Sequence, residues 1–182
     1  MTVLTDTFVL KKSVRGDFDR QYILYTRELG KITAIAKGAL KITSKLSSHL
    51  DFFYLSEVMV ASGQTFFRLA GARLKTPHLK DKTNEAKVSS AYFFLAAIEV
   101  LMIDRSHDER IFLLLQNFFT GLDATRDGRD AHLILNHSLY QLLTCLGYRP
   151  KINNVRNQAQ LTDILKRLIT EVSGKELPDC VF

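Results

Sequence analysis

Cysteine is nearly absent from this chain. Cys145 and Cys180 stand far apart and form no CxxC pair, so neither a disulfide framework nor a structural zinc site is expected. That usage suits a reducing, cytosolic setting. Proline and glycine are sparse, 3 and 9 in 182 residues, which argues against long disordered linkers. No apolar run is long enough to span a bilayer. The amino terminus, MTVLTDTFVLKK, carries its lysines after the apolar stretch, the wrong order for a secretory signal.

Catalytic signatures are missing too. There is no GxxxxGK[ST] or GxGxxG phosphate loop, no HExxH and no GxSxG. His132 and His137 are five residues apart, which points them to different helix faces and makes them surface or packing residues rather than metal ligands. Asp104, Asp108 and Glu109 sit at a helix junction, where capping and the helix dipole account for them. Cys145 reads as a buried thiol in an apolar helix. The expectation is a protein without enzymatic activity, cofactor or metal.

What is present is an ordinary globular composition, 46% hydrophobic and 24% charged, with length enough for a real core. The net charge of +6 is unevenly spread. Residues 1–80 hold 13 Lys+Arg against 6 Asp+Glu, net +7; residues 81–182 hold 12 against 13, net −1. Positive charge gathered in one half points to a nucleic-acid or other anionic contact made by that half.

The basic half is strand-like. Residues 5–13, 18–27, 31–37, 52–61 and 64–74 are rich in β-branched and aromatic types. In KITAIAK, Ile32, Ala34 and Ala36 alternate with Thr33, Ile35 and Lys37, so one set faces inward and the other outward. Turns are expected at Glu28-Leu29-Gly30-Lys31 and at Ser62-Gly63. Five short strands with a long third connection fit an OB-type Greek-key barrel, with an SH3-like barrel as the close competitor. From Asn84 the apolar period lengthens to three and four. Four helices follow: a very apolar one within 83–104, one capped by Asp108, one over about 130–146 ended by Gly147 and Pro150, and an amphipathic one from Leu161 to Val172, with Gln160 or Thr162 near its start. The fold class is therefore α+β, with a barrel over residues 1–78 and an all-α bundle over 79–182, divided near Thr76-Pro77-His78.

The candidate site is the basic constellation Arg15, Arg20, Arg27, Lys31, Lys37, Lys41 and Lys45, extended by Arg68 and Arg73. Closely spaced cations bind a phosphate backbone through counterion release. Gly38, between Lys37 and Lys41, lets the backbone approach closely. Arg68 and Arg73 differ by an odd number, so on a regular strand only one joins the track. Phe18, Tyr22, Tyr25, Phe52, Phe53, Tyr54, Phe66 and Phe67 interleave with the charges. Most must fill the barrel, while some can stack on bases. Tyr22 shares the face of Phe18 and Arg20, and Tyr25 that of Arg27; periodicity leaves the choice between them open. In the helical half, Phe112, Leu115, Phe118 and Phe119 read as bundle core. The alternative is a partner groove built on Phe112, Leu115 and Phe119 and edged by Arg126 and Arg129.

The stretch GDFDRQYILYTRELGKITAIAKGALKITSKLSSHL, with LGYRP at 146–150, resembles the RecO family of bacterial recombination mediators. The helical run AYFFLAAIEVLMIDRSHDERIFLLLQNFFTGL is similar in position and character. The tail GKELPDC resembles the family's last turn, which implies that the chain reaches its natural end. The resemblance implies an OB domain followed by a helical domain in a cytoplasmic, nucleoid-associated protein. It implies binding of single- and double-stranded DNA, strand annealing, and docking to the tail of single-stranded DNA-binding protein. It further implies action with RecR, sometimes RecF, to load RecA. Lys37 and Lys41 match the family's lysine-rich DNA motif. Where many members carry a four-cysteine zinc knuckle, this chain reads KINNVRNQAQ. The knuckle is expected to be lost, and zinc with it. Two rivals to the DNA reading remain: a barrel that contacts an acidic protein, and an RNA-binding OB protein.

Overall fold

A computed structural model describes residues 2–40, 46, 48–80, 82–125, 128–152 and 155–178. Five strands come first: β1 (Thr2–Arg15), β2 (Asp19–Thr26), β3 (Gly30–Ala36), β4 (Tyr54–Ala61) and β5 (Phe67–Pro77). They close into a barrel in the order β1-β2-β3-β5-β4. Every pairing is antiparallel except β3 with β5, which run parallel and touch only at Ala34↔Phe67 and Ile35↔Arg68. Four helices follow, so the fold is α+β with an OB-type barrel.

The alternation in β3 places Ile32, Ala34 and Ala36 inside the barrel as expected, packed with Val9, Leu24, Val58, Val60 and Leu69. Tyr22 and Tyr25 are both fully buried. Burial pushes both phenols up, Tyr25 to about 12. Neither tyrosine can meet a base. The Ser62-Gly63 turn is longer than a two-residue hairpin, because β5 starts only at Phe67.

β1 contains a bulge between Val9 and Lys11. Val9 opposes the inward Leu24, and Lys11 opposes the outward-side Ile23. Without the extra residue, Lys11, Ser13 and Arg15 would continue on the inward face of Val9. The bulge turns all three outward, because a one-residue slip exchanges the two faces of a strand.

The chain divides into two compact units. Met102–Phe112, which follows the first helix in sequence, groups with the barrel residues up to His78. Arg105 N donates to Lys31 O at 2.7 Å, and the Tyr25 hydroxyl donates to Asp108 O at 3.2 Å. The Phe112 ring packs on Phe8, with centroids 5.8 Å apart.

The second unit holds α1 (Glu85–Leu101), most of α2 (Glu109–Ala124), α3 (Gly128–Cys145) and α4 (Gln158–Ser173). α1 buries seven residues around much of its circumference, among them Ser90, Phe93, Phe94 and Ile98. Phe94 meets Phe118 of α2 at 4.2 Å between centroids. Asp108 caps α2 as expected, its Oδ1 accepting from Arg110 N at 2.9 Å. Gly147 follows α3 with φ +89°. α4 begins at Gln158, ahead of the expected Leu161, and is capped by Asn157, whose Oδ1 accepts from Gln160 N at 2.9 Å. Thr162 instead is buried and donates to Asn136 Oδ1 at 2.7 Å. His132 is buried and His137 exposed, consistent with packing and surface roles. Cys145 is only partly buried. No helix among the described residues is long and apolar enough to cross a membrane.

Candidate nucleic-acid interface

Residues directly opposite one another in a sheet share a face. Across β1, β2, β3 and β5, one outward row reads Ser13, Gln21, Ile35 and Arg68, and its neighbour reads Lys11, Ile23 and Thr33. Arg15 ends β1 beside the first row, with its Nη1 3.5 Å from Gln21 Oε1. Lys37 follows β3 just past Ala36. Lys11, Arg15, Lys37 and Arg68 are all exposed. None makes an ion pair with another described residue. Four uncompensated cations on one wall of a small barrel concentrate positive potential there.

A groove of about 380 Å3 opens between Lys37, Arg68, Ile35, Ala61, Phe66 and Phe67. The guanidinium of Arg15 lies over the Phe66 ring, 4.8 Å from its centroid. That of Arg105 lies 5.5 Å from the centroid of Phe67. Cation–π contact of this kind holds both the ring and the charge in place. The β1–β2 turn, with the exposed Phe18, and the β4–β5 loop flank this wall. In OB barrels these are the two loops that frame oligonucleotide sites.

The nine cations expected from the sequence separate into groups. Arg15, Lys37 and Arg68 come together on the wall just described. Arg20 shares the inward parity of Tyr22 and opposes Ala36, so it sits half-buried at the barrel mouth. Arg27 is half-buried, its guanidinium 4.9 Å from the centroid of Phe112. Lys31 is only 7% exposed, and its ammonium is 3.2 Å from Asp104 Oδ1. A cation held in that way is committed to the fold. Arg73 lies on the outer wall of β4 and β5, where Glu57 neutralises it at 3.1 Å. On the same wall, Lys75 pairs with Asp6 at 2.8 Å. Of the odd-spaced Arg68 and Arg73, only Arg68 joins the track. Lys41 and Lys45 lie outside the described residues.

Two contributors escaped the sequence reading. Lys11 belongs to the lysine pair that follows the amino-terminal apolar stretch, but only the bulge decides that it faces outward. Arg105 lies in a connection between helices, with no local signal that it returns to the barrel. Phe112, Leu115 and Phe119 are fully buried and present no surface of their own, in keeping with the core reading. Arg126 and the side chain of Arg129 lie outside the described residues.

Residues 1–78 match the family described as "Recombination protein O N terminal". Over 177 residues, 97% of its length, the chain is 29% identical to the DNA repair protein RecO of Dehalococcoides mccartyi, covering 69% of that protein. It is 26% identical over 177 residues to the DNA repair protein RecO of Roseiflexus, covering 97% of this chain and 61% of that one. Against the protein of the same name from Thermoanaerobacter it is 25% identical over 150 residues, 82% of this chain and 60% of the relative. The chain thus spans about 60% of the length of the last two. The barrel, its order of strands and this match agree with the likeness carried by the sequence motifs: residues 1–78 are similar to the N-terminal domain of the RecO family.

Proposed function

We propose that this protein is a non-enzymatic DNA-binding protein of recombinational repair, with residues 1–78 as its nucleic-acid-binding domain and 79–182 as its helical domain. The observation that carries the reading is the outward wall of Lys11, Arg15, Lys37 and Arg68, unneutralised by any described carboxylate. Those cations would neutralise backbone phosphates on one strand or two and hold complementary strands close while their bases search for register. Lys41, the second lysine of the family-like motif, would extend the track. The RecO relatives, named as DNA repair proteins, favour DNA over an acidic protein or RNA as the polyanion.

Annealing, and loading of RecA with RecR and RecF onto DNA coated by single-stranded DNA-binding protein, are the finer roles that the resemblance supports. The test is annealing of complementary oligonucleotides coated with that protein, with and without this chain. Acceleration that disappears on Lys37→Ala with Arg68→Ala supports the proposal. No acceleration removes the annealing role. Failure to bind any oligonucleotide removes the DNA reading itself.

A further inference from the structure

A phosphate track alone does not distinguish a single strand from a duplex, yet the wall described above is not only charged. Between its cations lies the groove of about 380 Å3, within the 300–1,000 Å3 range of small-molecule sites. It is lined by Ile35, Ala61, Phe66 and Phe67, by Ser62, Gly63 and Thr65 of the β4–β5 loop, and by the cations Lys37 and Arg68. Phe66 is partly exposed and lines this groove, while Arg15 lies over its ring at 4.8 Å and so steadies its orientation. A smaller cavity of about 130 Å3 continues past Phe66 and Phe67 to Arg105. A largely apolar and aromatic lining that includes two cations suits a flat aromatic group tethered to anions. An unpaired nucleobase with its flanking phosphates has that chemistry. A base within a duplex does not, because its faces are already stacked and its edge paired.

We infer that this groove accepts one unpaired base of a single DNA strand against Phe66, with the neighbouring phosphates on Lys37 and Arg68. The inference rests on the DNA-binding reading above and adds to it a preference for single strands. During annealing, a base held there would be released when it finds its complement, since pairing withdraws it from the groove.

The experiment compares wild type, Phe66→Ala, Phe66→Tyr and Lys37→Ala/Arg68→Ala by fluorescence anisotropy. The probes are an oligothymidylate, an abasic deoxyribose-phosphate oligomer of the same length, a matched duplex and an oligouridylate. Loss of one base–aromatic stack corresponds to a drop of roughly 5- to 150-fold. Phe66→Ala is expected to lose that factor on the oligothymidylate. It should stay within about 2-fold of wild type on the abasic oligomer and the duplex, where only phosphates are engaged. Phe66→Tyr, which keeps a ring, should bind as wild type, and this also shows that the site is folded. The double cation variant should weaken on every probe. Unchanged oligothymidylate binding by Phe66→Ala, or an equal loss on all probes, overturns the base site while leaving the DNA reading intact. Tighter binding of the oligouridylate overturns the assignment to DNA. A wild-type protein that binds none of them overturns both readings.

Discussion

A Cβ placed on Gly30 would stand 2.1 Å from the carbonyl oxygen of Ser106. The two residues are 76 positions apart, yet the segment Met102–Phe112 lies directly on the start of β3. Gly30 also has φ +66°, a left-handed conformation that any Cβ makes costly. Crowding and backbone strain act together in Gly30→Ala. The variant should lose about 3 kcal/mol or more of stability, read as a lowered denaturation midpoint in urea. A loss under about 1 kcal/mol would mean that the connection yields easily.

The wall of β1, β2, β3 and β5 should matter to DNA and the wall carrying Arg73 should not. Lys37→Ala with Arg68→Ala removes two exposed cations that no described carboxylate pairs. The slope of log K against log salt for a single strand should flatten by about 1.4, near 0.7 per phosphate contact. Arg73→Ala, which breaks an exposed pair with Glu57, should leave that slope unchanged. Equal effects from both variants would show that the cations act only through net charge.

Phe112 is fully buried between Phe8 and the guanidinium of Arg27. Phe112→Ala should cost about 3–5 kcal/mol by cavity formation. Its DNA affinity, measured where the variant is still folded, should stay near wild type. Loss of a partner with no loss of stability would instead revive the docking role that burial argues against.

Two groups separate the response to acid. Burial holds the His132 imidazole below its ordinary value, so the unfolded chain takes up the proton first. The stability owed to neutral His132 is present above pH of about 6.5 and is lost as pH falls below it. Asp108 is held low chiefly by its hydrogen bond from Arg110. Its contribution is present above pH of about 3.9 and is lost only at still lower pH, through the folded-state value. Thermal melts of His132→Gln should therefore show a shallower decline between about pH 7 and 5 than wild type. Asp108→Ala should cost about 1 kcal/mol at neutral pH as a lost cap and flatten the profile only below about pH 4. A wild-type melting curve that is flat from pH 7 to 5 would refute the role given to His132.

Much of the barrel was legible because inward and outward positions alternate along β3, and because five strand-like segments are spaced for an OB order. The helices were legible from their three- and four-residue period, and Asp108 and Gly147 marked ends that local chemistry alone dictates. The start of α4 was less legible, because the polar stretch ahead of the helix offers several side chains able to cap it; Asn157, with extended backbone, is the one that does.

The site was less legible. Charge clustering identified the basic half, since composition is additive along a chain. It could not say which cations share a wall. That depended on a bulge at Val9–Lys11, which reverses the facing of Lys11 and Arg15, and on pairings of distant carboxylates with Lys31 and Arg73. Local pattern thus determined the elements, the α+β class and the sign of the surface. Tertiary structure alone decided which charges are free, because neutralisation and facing arise from residues that meet only once the barrel closes.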